Sequence, residues 1–276
     1  MTDPRLTPAR PDLAAAHLRG KVQAARFVDG VAADVVAVSV ALRKRPDAAS
    51  GWETEALHGE TMKVYEARDG WAWVQLERDG YVGYLVAAAL REPQTPTHRV
   101  AALRTHGYPG ASIKRPQALA LSLGARLTIT GEHGDFLIDG EGRHFWARHL
   151  APADSVEPDI VAVAERFLNA PYLWGGRTSE GVDCSGLTQA ALTAAGFPAP
   201  RDSDMLEKLG EALPEDAALK RGDLVFWKGH VGIMRDAETL LHANGYHMAV
   251  VSEPLAAARE RIAASGGGAI TSARRL

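Results

Sequence analysis

The sequence predicts an α+β protein in which two small β units precede a domain built from helices and an antiparallel sheet. Three observations carry that expectation. Residues 51–90 hold short alternating runs broken at Asp69-Gly70 and Asp79-Gly80, dipeptides that favour tight hairpins. Residues 98–150 repeat the theme more weakly, with strand-like runs parted by Gly-rich turns in "LGARLTITGEHGDFLIDGEGRHFWARHL". After the proline-bearing linker "APADSVEPD" the apolar spacing becomes helical and then returns to alternation.

Taken in order, residues 1–33 read as an arm, with prolines at 4, 8 and 11 and then a stretch that suits a short helix or an extended strip. "DVVAVSVAL" (34–42) reads as one strand and opens the first β unit, residues 34–92; the second occupies 93–153. The third domain, 154–276, begins with "DIVAVAERFLNA", where Ile160, Val163, Ala164 and Phe167 fall near helical spacing before Pro171. In "GVDCSGLTQAALTAAGF", Leu187, Ala190, Ala191 and Ala194 mark the buried stripe of a second helix, closed by Gly196 and Pro198. "RGDLVFWKGHVGIMRDAETLLHANG" alternates like antiparallel strands, with a turn at Asp236-Ala237.

With 31 basic and 34 acidic residues the net charge is -3, which gives no electrostatic reason to expect nucleic acid or an anionic membrane as partner. No stretch is long and apolar enough to span a bilayer. The opening "MTDPRLTPARPDLAAAHLRGK" lacks the apolar run of a secretory signal, and one cysteine makes no intrachain disulfide. A cytoplasmic location is the expectation.

That single cysteine, Cys184, is a poor start for a structural zinc site. It is a small buried hydrophobe, an incidental residue or a nucleophile. Its place at the start of a helix favours a thiolate and offers backbone N–H groups to an oxyanion. His230 opens a strand after a Lys-Gly turn, where its ring can face the helix end, and His242 lies on the next strand, near enough for one imidazole to bond the other. Cysteine, histidine and a polar orienting residue follow the logic of thiol proteases.

"PYLWGGRTSEGVDCSGL", "RGDLVFWKGHVGIM" and "LLHANG", in that order, resemble the NlpC/P60 cysteine peptidases, papain-like enzymes that cut bacterial cell-wall peptides. The resemblance covers residues 157–255 and implies Cys184 as nucleophile, His230 as general base and His242 as the third, orienting residue. "ETEALHGETMKVYEARDGWAWVQLERDGYVGYLVAAAL" resembles a bacterial SH3 domain, and residues 98–150 a second, divergent copy. The implied architecture is a papain-like NlpC/P60 catalytic domain preceded by two small SH3-like β-barrels. This order is similar to the murein-peptide recycling enzymes of the γ-D-glutamyl-L-diamino acid endopeptidase type. The implied substrates are L-Ala-γ-D-Glu-diamino acid peptides, cut after D-Glu without metal or organic cofactor.

Asp183 beside the nucleophile opposes thiolate formation, so it needs a compensating use. One use is an N-cap for the Cys184 helix. The other, implied by the resemblance, is that Asp183, Tyr172 and Ser185 bind the free α-ammonium of an N-terminal L-Ala. Tyr81, Tyr84, Glu53 and Glu55 are unranked candidates for closing that end of the groove. Trp174, with Gly175-Gly176, either shapes the approach to the thiol or packs beside a turn. The alternative functions are a wall-lytic endopeptidase or amidase on intact peptidoglycan, an acyltransferase on the same fold, and a non-catalytic SH3-type binding protein.

Overall fold

Asp69 and Gly70 both take the left-handed conformation (φ 51° and 80°), the two-residue turn whose twist suits a hairpin, and join strands Thr61–Arg68 and Trp71–Leu76. In a computed structural model that describes residues 3–276, the chain divides into two units, Met1–Asp154 and Ser155–Leu276.

The hairpin belongs to a seven-stranded sheet ordered Trp52–Leu57, Ser39–Arg43, Val82–Val86, Trp71–Leu76, Thr61–Arg68, Val31–Val35 and Leu90–Arg91. Alternate residues of these strands, including Leu42, Met62, Val74 and Leu85, form one core, each burial contributing about 1.5–3 kcal/mol. The single strand expected over 34–42 is two strands, because the chain turns a corner between them. There Val36 N–H donates to Ala89 O, and Val38 O accepts from His58 N–H. A run of valines carries strand propensity through a corner that only tertiary hydrogen bonds reveal. The arm holds a short strand, Leu13–Ala15, paired with Arg26–Val28 across a 3-10 turn, and Arg10 lies 4.4 Å over the Trp73 ring. Tyr81 and Glu55 are buried (2% and 3% exposed).

Residues 98–152 form two open sheets, one of five strands and one of three. Their pairing repeats that of the first segment. His98–Val100 pairs with Arg126–Leu127 and Leu150–Pro152, as Val31–Val35 pairs with Thr61–Arg68 and Leu90–Arg91. Arg104–Tyr108 pairs with Leu119–Ser122 and His144–Trp146, as Ser39–Arg43 pairs with Trp52–Leu57 and Val82–Val86. In both segments a 3-10 turn, Ala87–Ala89 or Ala147–His149, precedes the last strand. The expected barrels are thus found as open sheets.

The second unit packs helices on a six-stranded sheet ordered Glu211–Ala212, Ser272–Arg275, Leu224–Trp227, His230–Met234, Thr239–Asn244 and Ala249–Pro254. Helix α1 (Ile160–Glu165) starts at Asp159, whose carboxylate accepts from Val161 and Ala162 N–H, and stops short of the expected length. Asn169 in the left-handed region (φ 67°) turns the chain before Pro171. Helix α2 (Cys184–Ala194) is buried on nearly every face and packs against α1 and strands His230–Met234 and Thr239–Asn244. It ends as the sequence predicts: Gly196 (φ 84°) lets Phe197 N–H reach Leu192 O and Gly196 N–H reach Thr193 O. Short α3 (Ser203–Leu206) and α4 (Leu255–Ala264) complete the unit.

Candidate active site

The start of α2 is fixed from three directions. A Cβ on Gly186 would come within 2.3 Å of Gly176 O, so the first turn lies directly on the Gly175-Gly176 backbone. Asp183 caps the helix by accepting from Gly186 N–H (2.7 Å) and holds the same loop by accepting from Gly175 N–H (2.8 Å). Arg201, fully buried, donates to both Asp183 oxygens (3.0 and 2.7 Å) and to Ser185 Oγ (2.7 Å), while Ser185 Oγ donates to Asp183.

A carboxylate has about four lone-pair sites, and Asp183 already receives five donors from its own unit. The compensating use that the sequence demanded is Arg201, in "PAPRDSD", which no local pattern singles out. Burial opposes the Arg201 charge, but Asp183 outweighs it and raises the Arg201 pKa.

Cys184 is buried with backbone N–H groups of Val231 and Ser185 directed at its sulfur. The Val231 contact sets the thiol against the strand that His230 opens. The two histidines sit diagonally on adjacent strands: the register Ile233 to Leu241 continues with Gly232 facing His242. A Cβ on Gly232 would lie 2.7 Å from Leu240 and 3.2 Å from His242, so the absent side chain is what lets the rings meet, His230 Nε2 to His242 Nδ1 at 2.8 Å. Gly232→Ala is expected to cost about 1–3 kcal/mol of stability by overpacking and to lower kcat by displacing His242; a thermal melt and a rate measurement on one sample check both.

His242 Nε2 lies 2.8 Å from Glu253 Oε1, and Arg261 Nη2 donates to the same oxygen. Neither Glu253 nor Arg261 is evident from sequence. Burial raises the Glu253 pKa, but His242 and Arg261 outweigh it and the net shift is downward, so the carboxylate is ionised. An ionised carboxylate only accepts, so His242 carries its proton on Nε2 and accepts at Nδ1. His230 then donates from Nε2, which leaves its Nδ1 lone pair as a base. Asn244 Nδ2 also lies 3.0 Å from His242 Nε2. A charge-assisted bond is about twice as strong as a neutral one, so Glu253 decides the tautomer.

Burial first, then Asp183, pushes the Cys184 thiol up to about 12; burial first, then His242 and Arg261, holds His230 down to about 3. Thiol and imidazole both rest neutral. The Tyr172 pKa is raised by burial and then by Cys184 and Asp183. Trp174 is 69% exposed and outside this cluster.

These shifts define a pH window for stability. Burial also lowers His242, so between the unfolded histidine value of 6.5 and the folded values the unfolded state binds more protons. That stability is present above pH 6.5 and lost as pH falls. Cys184 has the opposite sign: its contribution is present below the unfolded value of 9.0 and lost as pH rises. Urea midpoints are expected to be flat between those limits and to fall outside them, by at most about 1.4 kcal/mol per pH unit for each group. An alkaline limb that Cys184→Ala leaves unchanged refutes the neutral buried thiol.

Among the described residues no cluster of His, Cys, Asp and Glu is arranged to hold a metal ion. Residues 42–90 match the family described as the bacterial dipeptidyl-peptidase Sh3 domain, and residues 169–260 match the NlpC/P60 family. The chain is 28% identical to a γ-D-glutamyl-L-lysine dipeptidyl-peptidase of Bacillus subtilis, over 69% of this chain and 72% of that protein. A Bacillus cereus protein of the same name is 26% identical over 63% and 60%. The crystal structure of an NlpC/P60 family protein from Bacillus cereus shares the fold, with a TM-score of 0.74 at 21% identity over 89% of this chain and 99% of that one. With a buried cysteine and hydrogen-bonded histidines inside the matched segment, residues 169–260 form an NlpC/P60 family domain and the chain is a cysteine-type peptidase.

Proposed function

We propose that this protein hydrolyses the bond between γ-D-glutamate and the diamino acid of cell-wall (murein) peptides with a free N-terminal L-alanine, as a step of peptidoglycan recycling in the cytoplasm. The observation that carries the reading is the line from His230 through His242 to Glu253, with Cys184 against the Val231 backbone of the same strand, in a chain whose relatives are named for γ-D-glutamyl-L-lysine.

In this mechanism the Cys184 sulfur attacks the γ-carbonyl carbon while His230 Nδ1 takes the thiol proton. Because both groups rest neutral, the proton moves as the S–C bond forms. The oxyanion is held by backbone N–H groups at the start of α2 that Asp183 does not cap. The imidazolium then protonates the departing amine of the diamino acid, and water, deprotonated by His230, releases the thioester. Residues 98–152, with their repeated pairing scheme, are a second, divergent SH3-like unit in this proposal.

The test follows L-Ala-γ-D-Glu-meso-diaminopimelate by mass spectrometry, beside its N-acetylated twin and a Cys184→Ala control. Release of L-Ala-D-Glu from the free peptide alone is the expected result. Equal cleavage of the two peptides keeps the peptidase and rejects the recycling assignment. Clearing of intact sacculi favours a wall-lytic enzyme instead.

A further inference from the structure

Among the described residues His242 Nε2 meets two groups of opposite kind. Glu253 Oε1, an ionised acceptor, lies 2.8 Å away, and Asn244 Nδ2, a donor, lies 3.0 Å away. The backbone fixes which end of the Asn244 amide faces the ring. Strands Thr239–Asn244 and Ala249–Pro254 are joined by the turn 245–248, where His247 N–H donates to Asn244 Oδ1 (2.9 Å) and His247 Nδ1 lies 3.1 Å from the same oxygen. A backbone N–H only donates, so the amide oxygen belongs to the turn and the amide nitrogen faces His242. The turn is itself anchored: Met248 takes a left-handed conformation (φ 51°), and its carbonyl accepts from Tyr172 N–H (2.9 Å).

One ring nitrogen cannot satisfy both groups. With its proton on Nε2, His242 donates to Glu253 and accepts at Nδ1 from His230, which leaves the His230 Nδ1 lone pair as the base. With its proton on Nδ1, His242 accepts from Asn244 at Nε2 and donates to His230 Nε2. His230 then carries its own proton on Nδ1, and the thiol has no base. Burial holds His242 below the usual histidine range, so these two neutral forms are the ones that compete at physiological pH. The titratable and charged groups around the ring are His230 and Glu253 on the flanking strands, Arg261 on α4 and His247 in the turn, while Cys184 begins the helix α2 that packs on the same sheet.

We propose that Asn244 is a positioning residue that acts through His242 in favour of the tautomer that disables His230, and that Glu253 is required to override it. The relay is poised: its working form depends on one carboxylate, and removing that charge hands Nε2 to a donor already in place. The amide stays where it opposes the reaction because its oxygen closes the turn. The proposal rests on the peptidase mechanism above and is independent of which peptide is cut.

The experiment records heteronuclear NMR spectra of the full chain with isotope-labelled histidine, whose ring-nitrogen shifts tell Nδ1–H from Nε2–H; the His242 signals are assigned by their loss in His242→Leu. Wild type is expected to show the Nε2–H form alone. Glu253→Gln is expected to show comparable populations of the two forms, since a neutral acceptor then competes with a neutral donor. Adding Asn244→Leu, which removes the donor, or Asn244→Asp, which replaces it with a carboxylate and still accepts from His247, returns His242 to the Nε2–H form. A Glu253→Gln protein that keeps the Nε2–H form alone, or an Nδ1–H form that survives Asn244→Leu, overturns the proposal. The same spectra report whether each variant is folded. With L-Ala-γ-D-Glu-meso-diaminopimelate as substrate, adding Asn244→Asp to Glu253→Gln is expected to raise kcat roughly tenfold with little change in KM, within the range for groups one step behind a reacting residue. Damage to the fold lowers kcat further and does not raise it, so a folded double variant whose tautomer returns without a rise in kcat also overturns the proposal. If wild type cleaves no peptide, the substrate reading fails and the spectra still decide the role of Asn244.

Discussion

Arg201→Met is expected to lower stability by about 3–5 kcal/mol, because it leaves the Asp183 carboxylate buried without its cation. Asp183 keeps the N–H groups of Gly175 and Gly186 and the Ser185 hydroxyl, which soften the loss but carry no full charge. The double variant Asp183→Asn, Arg201→Met removes both charges and is expected to be more stable than Arg201→Met alone. That reversal separates an orphaned charge from simple loss of packing, which adds a second cost. Urea denaturation of the set measures it. Activity falls as well, for an electrostatic reason: Arg201 is one of the groups that lower the Cys184 pKa, and Asp183 is one that raises it. Removing only the arginine leaves the thiol facing an unbalanced negative charge. A drop in the rate of thiol alkylation at fixed pH, restored in the double variant, reports that effect without substrate.

The Arg201 pair also shows where sequence reading stops. Helix α2, its Gly196 stop and the two strands that carry histidines were legible because each is written in consecutive residues: a 3.6 spacing, a left-handed glycine, an alternation. The Asp183 problem was legible as a problem, since a carboxylate beside a nucleophile demands an explanation from charge alone. Its solution lies 18 residues along the chain, in a loop with no periodicity. Glu253 was hidden differently. It sits at the end of a strand with ordinary alternation, and only the pairing of Leu240 with Glu253 and His242 with Val251 brings its carboxylate beside the His242 ring. Gly232 was visible as a letter but not as a cause. Its role appears once the register sets it opposite His242, where two histidines that do not face each other directly meet across the space it leaves. In the β segments, the tight turns were readable from Asp-Gly pairs. The corner between Val35 and Ser39 was not, because nothing in a valine-rich run marks where its hydrogen bonds change partners.

The other large effect concerns the line of proton-bearing groups behind Cys184, and its size is expected to decay with distance from the sulfur. His242→Leu removes the acceptor for His230 Nε2–H, so the His230 tautomer is no longer fixed and its imidazolium has no stabilising partner. By analogy with loss of the orienting residue in a hydrolase triad, kcat falls roughly a thousand- to ten-thousand-fold with little change in KM. Glu253→Gln keeps the shape but removes the charge that sets the His242 proton on Nε2. Its loss is smaller, about ten- to a hundredfold, in the range seen for groups that orient a ligand from one step behind it. The pH profile separates this from structural damage. The Glu253 charge raises the pKa of His230, working against burial. Without it the imidazolium is harder to form, so the acid limb of kcat/KM moves to lower pH while the plateau drops. A Glu253→Gln protein with an unmoved acid limb, or a loss as large as that of His242→Leu, contradicts a relay that passes from Glu253 through His242 to His230. A shifted limb with an intermediate loss ties the base strength of His230 to a carboxylate that never touches the substrate.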